Sequence, residues 1–328
     1  FFIILVLMFI SGFAEMISFT AVIPFLSILT EPERFFEVQK FKFLYRLFNI
    51  QSGYELLIPI SVLFISLAIF AAIIKLTTIW LSGKYAAALG SEISIKSFSN
   101  SLMQPYSVHI QKNTSATIST NTTYINATVL VIHQTLWLIS NALIAILILI
   151  GLFAIDYRIA LTLLVVFGSA YLFLMKKLKV RLIKNSELIS FSNQKQIQFI
   201  QEGIGSIRDI ILDKSYRSFI DKYKKIDINM RLKNADSIFI AIYPRNILEV
   251  VGIIFLVSIA IFMNLTSQFN LKDTLPLLGA FALGAQRLLP AMQQSYNSWA
   301  AVNAYSSEIS NVLESLNQKV CVNLENGK

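Results

Sequence analysis

Long apolar runs alternate with polar intervals along this chain. The apolar runs fall at about 1–29, 57–81, 127–155, 159–175, 238–263 and 275–300. Each is close to or above the length that carries a helix across a bilayer, roughly 17–25 residues. Polar sequence at 82–126, 176–237 and 301–316 extends these runs without an immediate helix breaker. Between Lys176 and Lys233 there is no proline, and the only glycines are Gly203 and Gly205, so nothing forces that interval out of helix. Ile197, Ile200, Ile204, Ile207 and Ile211 recur at helical spacing, as do Phe219, Tyr223, Ile226 and Met230, with a break near Leu212-Asp213-Lys214-Ser215. The pattern predicts a helical hairpin bent at that break. Roughly thirty residues on each side would reach about 45 Å. Pro105 ends the earlier extension, Asp156-Tyr157-Arg158 makes a tight turn, and the last helix is expected to run on to Leu316.

With 55% apolar and 14% charged residues, the composition excludes an ordinary soluble domain and predicts an all-α polytopic membrane protein of six spans. The net charge of +9 does not point to nucleic acid, because the basic residues gather beside apolar spans. Fourteen of the 28 Lys and Arg lie between 176 and 233. Six spans put both ends on one side. That side would carry nineteen basic residues against six on the other, so both termini, Cys321 and the basic hairpin are expected in the cytoplasm of a plasma (inner) membrane. Asn113, Asn121 and Asn126 stand in glycosylation-type tripeptides, which arise by chance in such Ser/Thr-rich sequence. The aromatic stretch Glu31–Tyr54 is expected to lie at the interface. Phe1 in place of Met, with apolar sequence at once, suggests a segment of a longer polypeptide.

Charged side chains inside the spans are the candidate chemistry. Each costs about 2.5–3.5 kcal/mol at the bilayer centre, so Glu15, Lys75, Arg245, Glu249 and Arg287 should face protein or a wet cavity. Arg245 and Glu249 are one turn apart and could neutralise each other. Lys75 could pair with Glu15 or snorkel. Arg287 has no local partner, and its face reads Ala280, Leu283, Gly284, Ala291 and Gln294, suited to close packing or to lining a cavity. No phosphate-binding loop is present, and Gly203-Ile204-Gly205 lacks the third glycine of a dinucleotide site. His109 and His133 have no nearby Cys or acid set, so no metal site is expected. His109 reads as an exposed residue and His133 as a helix-packing one.

Three stretches carry a family resemblance. Pro105-Tyr106-Ser107-Val108-His109-Ile110-Gln111-Lys112-Asn113-Thr114-Ser115 looks like the first hairpin tip of the transmembrane domain of six-helix ABC exporters, with Ser115 where a glycine is usual. Glu202-Gly203-Ile204-Gly205-Ser206-Ile207-Arg208-Asp209-Ile210-Ile211 resembles the entry to the second tip. Arg287-Leu288-Leu289-Pro290 with Ala300, Ala304, Ile309 and Leu313 resembles the sixth helix. Glu15-Met16-Ile17-Ser18, Ile23-Pro24-Phe25-Leu26, Tyr243-Pro244-Arg245 with Leu248-Glu249, and Gln286 to Pro290 look like the subgroup that flips lipid-linked oligosaccharides.

The resemblance implies that residues 1–316 form the transmembrane domain and 317–328 begin a linker. It implies a nucleotide-binding domain that supplies ATP and Mg2+, met at coupling tips around Tyr106, Ser107, Val108, His109 and Ile110 and around Leu212, Asp213 and Lys214. Homodimerisation, contact with membrane lipids and an amphipathic, lipid-linked glycan-type substrate follow from it as well. Arg245 and Arg287, doubled in a dimer, would attract an anionic group such as a pyrophosphate, with Glu15, Lys75, Glu249 and Gln294 along the same pathway. Two other classes compete: a secondary transporter using Glu15 and Glu249 as proton carriers, recognisable by helices broken near the midplane, and a membrane scaffold whose basic hairpin binds acidic lipid.

Overall fold

The computed structural model describes residues 1–22, 25, 28, 55, 57–111, 114–155, 157–265 and 271–318, with the side chains of 159, 255–256, 259–260 and 262–283 outside that set. The expected interfacial helix at Glu31–Tyr54, Asp156 of the tight turn and nearly all of the expected linker therefore lie outside the described residues.

Every regular element among the described residues is helical. In chain order these are α1 (Phe2–Thr20), α2 (Leu57–Leu102), α3 (Tyr106–Gln111), α4 (Thr114–Ser119), a π-helical turn (Thr120–Tyr124), α5 (Ile125–Ile155), α6 (Tyr157–Gly205), α7 (Ile207–Asp213), α8 (Tyr216–Leu265), α9 (Leu271–Ala304) and α10 (Ser306–Leu316). α2, α6 and α8 run 46, 49 and 50 residues, α8 continuing through Pro244. At about 1.5 Å per residue each is twice as long as a hydrocarbon core of ~30 Å is thick.

Five runs are long and apolar enough to cross a membrane: α1, α2, α4–α5, α6 and α8. The chain is an all-α polytopic membrane protein. α9 covers the sixth expected span as a helix but is not among those five. Its expected continuation to Leu316 is interrupted at Tyr305, whose φ of −113° and ψ of 18° separate α9 from α10. No glycine or proline marks that break, so the sequence carries no local signal for it.

The described chain divides into two compact units. One is built from 1–81, 137–172 and 244–295, the other from 82–136, 173–243 and 296–328. Most long helices contribute a segment to each. The first unit has an apolar core of Met8, Phe19, Ile148, Leu152, Leu163 and Phe167, all nearly or fully buried. Glycines set the close approaches within it. A Cβ on Gly12 would lie 2.8 Å from Leu147 Cδ1, and one on Gly284 would lie 2.7 Å from Leu152 Cδ2 and 3.0 Å from Phe19 Cζ, as expected where small residues let membrane helices meet. Most of the apolar face of α2 is instead exposed, including Ile58, Val62, Ile69, Phe70, Leu76 and Trp80. Such a surface suits an apolar surrounding and not water.

The second unit is held by polar contacts between helices. Ser186 Oγ donates to Glu308 Oε2 at 3.0 Å and accepts from the Ser307 amide at 3.0 Å. The Tyr124 hydroxyl donates to the Ser190 carbonyl at 2.9 Å, and Asn311 donates to Ser190 Oγ at 3.1 Å. Arg181 grips Asp236 through Nε at 2.9 Å and Nη2 at 2.5 Å, and Asn185 adds a third donor at 2.9 Å. Of the two stripes expected in the basic hairpin, Phe219, Tyr223, Ile226 and Met230 are half-buried, whereas Ile200, Ile204, Ile207 and Ile211 are exposed. Gln196 donates to the Tyr223 hydroxyl at 2.7 Å and to Asp227 at 2.9 Å, so the half-buried stripe is the inner one.

Candidate functional site

A carboxylate in an apolar helix has to be compensated, and α1 carries one at Glu15. Ser11, Glu15 and Ser18 share one face of α1, and all three are buried. Two cations meet the carboxylate there. Lys75 of α2 donates from Nζ to Glu15 Oε1 at 2.9 Å, and Arg287 of α9 donates from Nη1 to Oε2 at 2.5 Å. One oxygen serves each cation, so the cluster carries a net charge of +1. Pairing offsets part of the cost that an isolated charge would bear in hydrocarbon.

The three side chains are not equally accessible. The Glu15 side chain is 10% exposed, against 44% for Lys75 and 36% for Arg287. The carboxylate therefore sits behind, and the cations face open space. That space is a cavity of about 390 Å3 lined by Glu15, Lys75, Arg287, Trp137, Asn141 and Gln294, among others. Its size falls within the ~300–1,000 Å3 typical of small-molecule sites, and apolar walls with a few convergent polar groups are their usual lining. Arg287 reaches it because α9 packs closely one turn earlier, where Gly284 lies against Phe19 and Leu152.

The structure thus brings together four of the residues expected along a substrate pathway: Glu15, Lys75, Arg287 and Gln294. Arg287, which has no local partner, is paired with Glu15, 272 positions away. Of the two options for Lys75, pairing with Glu15 is the one seen. Arg245 and Glu249 do not join this group. Both are exposed on α8, neither lines the cavity, and among the described residues they form no ion pair with each other within 4.0 Å. Three lining residues on α5, Trp137, Ser140 and Asn141, were not singled out from the sequence. Their signal was there: Ser140 and Asn141 are polar positions inside an apolar span, and such positions face protein or water more often than lipid.

No family model matches the chain.

The residues of the two expected tips form short helices that interrupt longer ones. Tyr106, Ser107, Val108, His109 and Ile110 all lie on α3, where Tyr106 and Ile110 are 78% and 68% exposed. Leu212 and Asp213 close α7, and Lys214 follows in the left-handed region at φ 53°, with its amide donating to the Ile210 carbonyl. Leu212, Asp213 and Lys214 are all exposed. Tyr106, Ile110 and Leu212 are thus large apolar side chains left exposed beside the ends of long helices. His109 is exposed as expected, and His133 is half-buried with its Nε2 4.0 Å from where a Cβ on Gly83 would stand.

The second unit has its own cavity of about 310 Å3, lined by Asn126, Asn193, Asn234, Arg231, Tyr305 and Glu308, among others. Glu308 is buried, and among the described residues no cation lies within ion-pairing distance of it. Burial therefore pushes its carboxyl above the ordinary value, against the weaker opposing effect of the Ser186 hydroxyl. Arg231 is engaged elsewhere, with Asp227 at 2.7 Å.

Proposed function

We propose that this chain is the membrane half of an ATP-driven exporter or flippase that moves an amphipathic anionic substrate out of the cytoplasmic leaflet by alternating access. The observation that carries the reading is the cavity in the first unit with two accessible cations over one buried carboxylate. Arginine offers paired donors to a phosphate or pyrophosphate group, and lysine adds a point charge. The apolar walls suit the rest of an amphipath.

The motive part of the proposal is a nucleotide-binding domain, fused or separate, that binds ATP and Mg2+ and docks on α3 and α7. Support comes from the exposed apolar residues Tyr106, Ile110, Ile207 and Leu212 on those short helices. The resemblance to six-helix ABC exporters adds α9 as the sixth span, a homodimer, cytoplasmic termini in an inner membrane, and a lipid-linked glycan as the narrower substrate class. A secondary transporter would be expected to break its helices near the midplane, whereas α2, α6 and α8 are continuous for 46 residues or more.

The test uses the full-length protein in liposomes. ATP hydrolysis should accompany movement of a fluorescent lipid phosphate, and Arg287→Ala should abolish movement while hydrolysis persists. Full transport activity in the Arg287→Ala protein would overturn the site, and an absence of ATPase activity in the parent would overturn the mechanism.

A further inference from the structure

The cations that would receive the substrate already hold an anion, Glu15. Glu15 engages only Nη1 of the Arg287 fork, at 2.5 Å, and binds Lys75 through its other oxygen at 2.9 Å. It is tethered in place, so its effective concentration is at least millimolar. A singly charged carboxylate entering the cavity brings no more charge than the tethered carboxylate it would have to displace, and both can fork onto a guanidinium. A phosphate-type group with two or more charges brings more, and so is attracted more strongly to Arg287.

Displacement also needs somewhere for Glu15 to go. A buried carboxylate stripped of its only cation would be strongly disfavoured. Here it keeps Lys75 when Arg287 turns away, and the two cations come from different helices, α2 and α9. The presence of two cations for one carboxylate is thereby explained. The exposure gradient agrees, with Arg287 on the open side and Glu15 behind it.

We propose that Glu15 is the specificity-determining residue of this cavity, a built-in rival that yields Arg287 to multiply charged phosphate-type anions, excludes singly charged ones, and is kept paired by Lys75 once displaced. This rests on the anion-binding reading above.

The experiment measures binding to the intact protein in neutral phosphatidylcholine nanodiscs. The probes are inorganic pyrophosphate and acetate, for free anions, and farnesyl diphosphate and dodecanoate, for lipid-borne ones. The parent should bind one or both diphosphates and neither carboxylate. Glu15→Gln should tighten carboxylate binding by about tenfold, within the usual span of coupling between two interactions, and narrow the discrimination. Glu15→Gln with Arg287→Ala should lose the gain. If the single variant is not monodisperse, Glu15→Gln with Lys75→Met removes carboxylate and spare cation together and should show the same loss of discrimination. If discrimination is unchanged in these variants while Arg287→Ala still weakens diphosphate binding, the cavity binds anions and the role given to Glu15 is wrong. If no probe binds in an Arg287-dependent way, the anion-binding reading itself falls. Comparing the two diphosphates shows whether the anion is taken free or on a lipid.

Discussion

The hydroxyl of Tyr296 donates a 3.2 Å hydrogen bond to the backbone carbonyl of Ile240. That carbonyl is four residues before Pro244, which lies inside α8 and has no amide to offer it. A buried carbonyl without a donor costs about 1–3 kcal/mol, so the tyrosine answers a defect that the proline creates. Tyr296→Phe keeps the ring beside Trp299, 5.6 Å between centroids, and removes only the donor. It should lower thermal stability by about 1 kcal/mol. In a Pro244→Ala background the amide at 244 returns, and the same substitution should cost much less. Equal costs in the two backgrounds would mean that the pairing is incidental.

This relationship also marks how far the sequence could be read. Helices and spans were legible because apolar runs of membrane length and a long interval without breakers leave few alternatives. The need for compensation at Glu15, Lys75 and Arg287 was legible too, since a charge in such a run cannot stand alone. Which charges pair was not. Arg245 and Glu249, with ideal spacing on one helix, do not pair, and Glu15 finds partners 60 and 272 positions away. Those contacts depend on how α1, α2 and α9 pack, which no local pattern encodes. The π-helical turn at Thr120–Tyr124 and the break at Tyr305 have the same character. Tertiary hydrogen bonds from Tyr124 and Ser307 hold those neighbourhoods, and neither carries a glycine or proline to announce it.

Gly284→Ala tests the packing that brings Arg287 to the cavity. Alanine is the better helix former by about 1 kcal/mol. Its Cβ, however, would stand 2.7 Å from Leu152 Cδ2 and 3.0 Å from the fully buried ring of Phe19. The leucine tip can turn aside, but the ring has no room. Overpacking of this kind costs about 1–3 kcal/mol, so the variant should melt earlier and bind pyrophosphate more weakly than the parent. A higher melting temperature would show that α9 moves away from α1 without penalty.

Glu308 predicts a pH dependence of stability. Its folded value is raised by burial, so the folded state holds the proton more tightly than the unfolded chain does. The sign follows: stability from this group is intact below the ordinary carboxyl value of about 4.3 and declines as pH rises through the raised folded value. Asp227 and Arg231 occupy each other, and Tyr305 is neutral in this range, so neither relieves the cost. Glu308→Gln keeps an acceptor for Ser186. It should raise the melting temperature by a few degrees near neutrality, and the advantage should vanish near pH ~4. An advantage that is the same at both pH values would assign the effect to packing instead of charge.

Lys214 allows shape and charge at the second tip to be separated. It is the only non-glycine residue with positive φ among those described, at 53°. The conformation ends α7 by directing its amide to the Ile210 carbonyl, which also accepts from Ser215 at 3.2 Å. For a residue with a Cβ, the left-handed region costs about 1–2 kcal/mol. Lys214→Gly should relieve it, and amide exchange across α7 and the start of α8 should slow. If the tip meets a nucleotide-binding domain through the exposed apolar groups of Leu212 and Tyr216, substrate-stimulated ATPase activity should survive this change and fall in Leu212→Asp. If Lys214→Gly instead uncouples hydrolysis from transport while exchange slows as expected, the contact is made through the lysine charge, and the apolar residues are not what the partner binds.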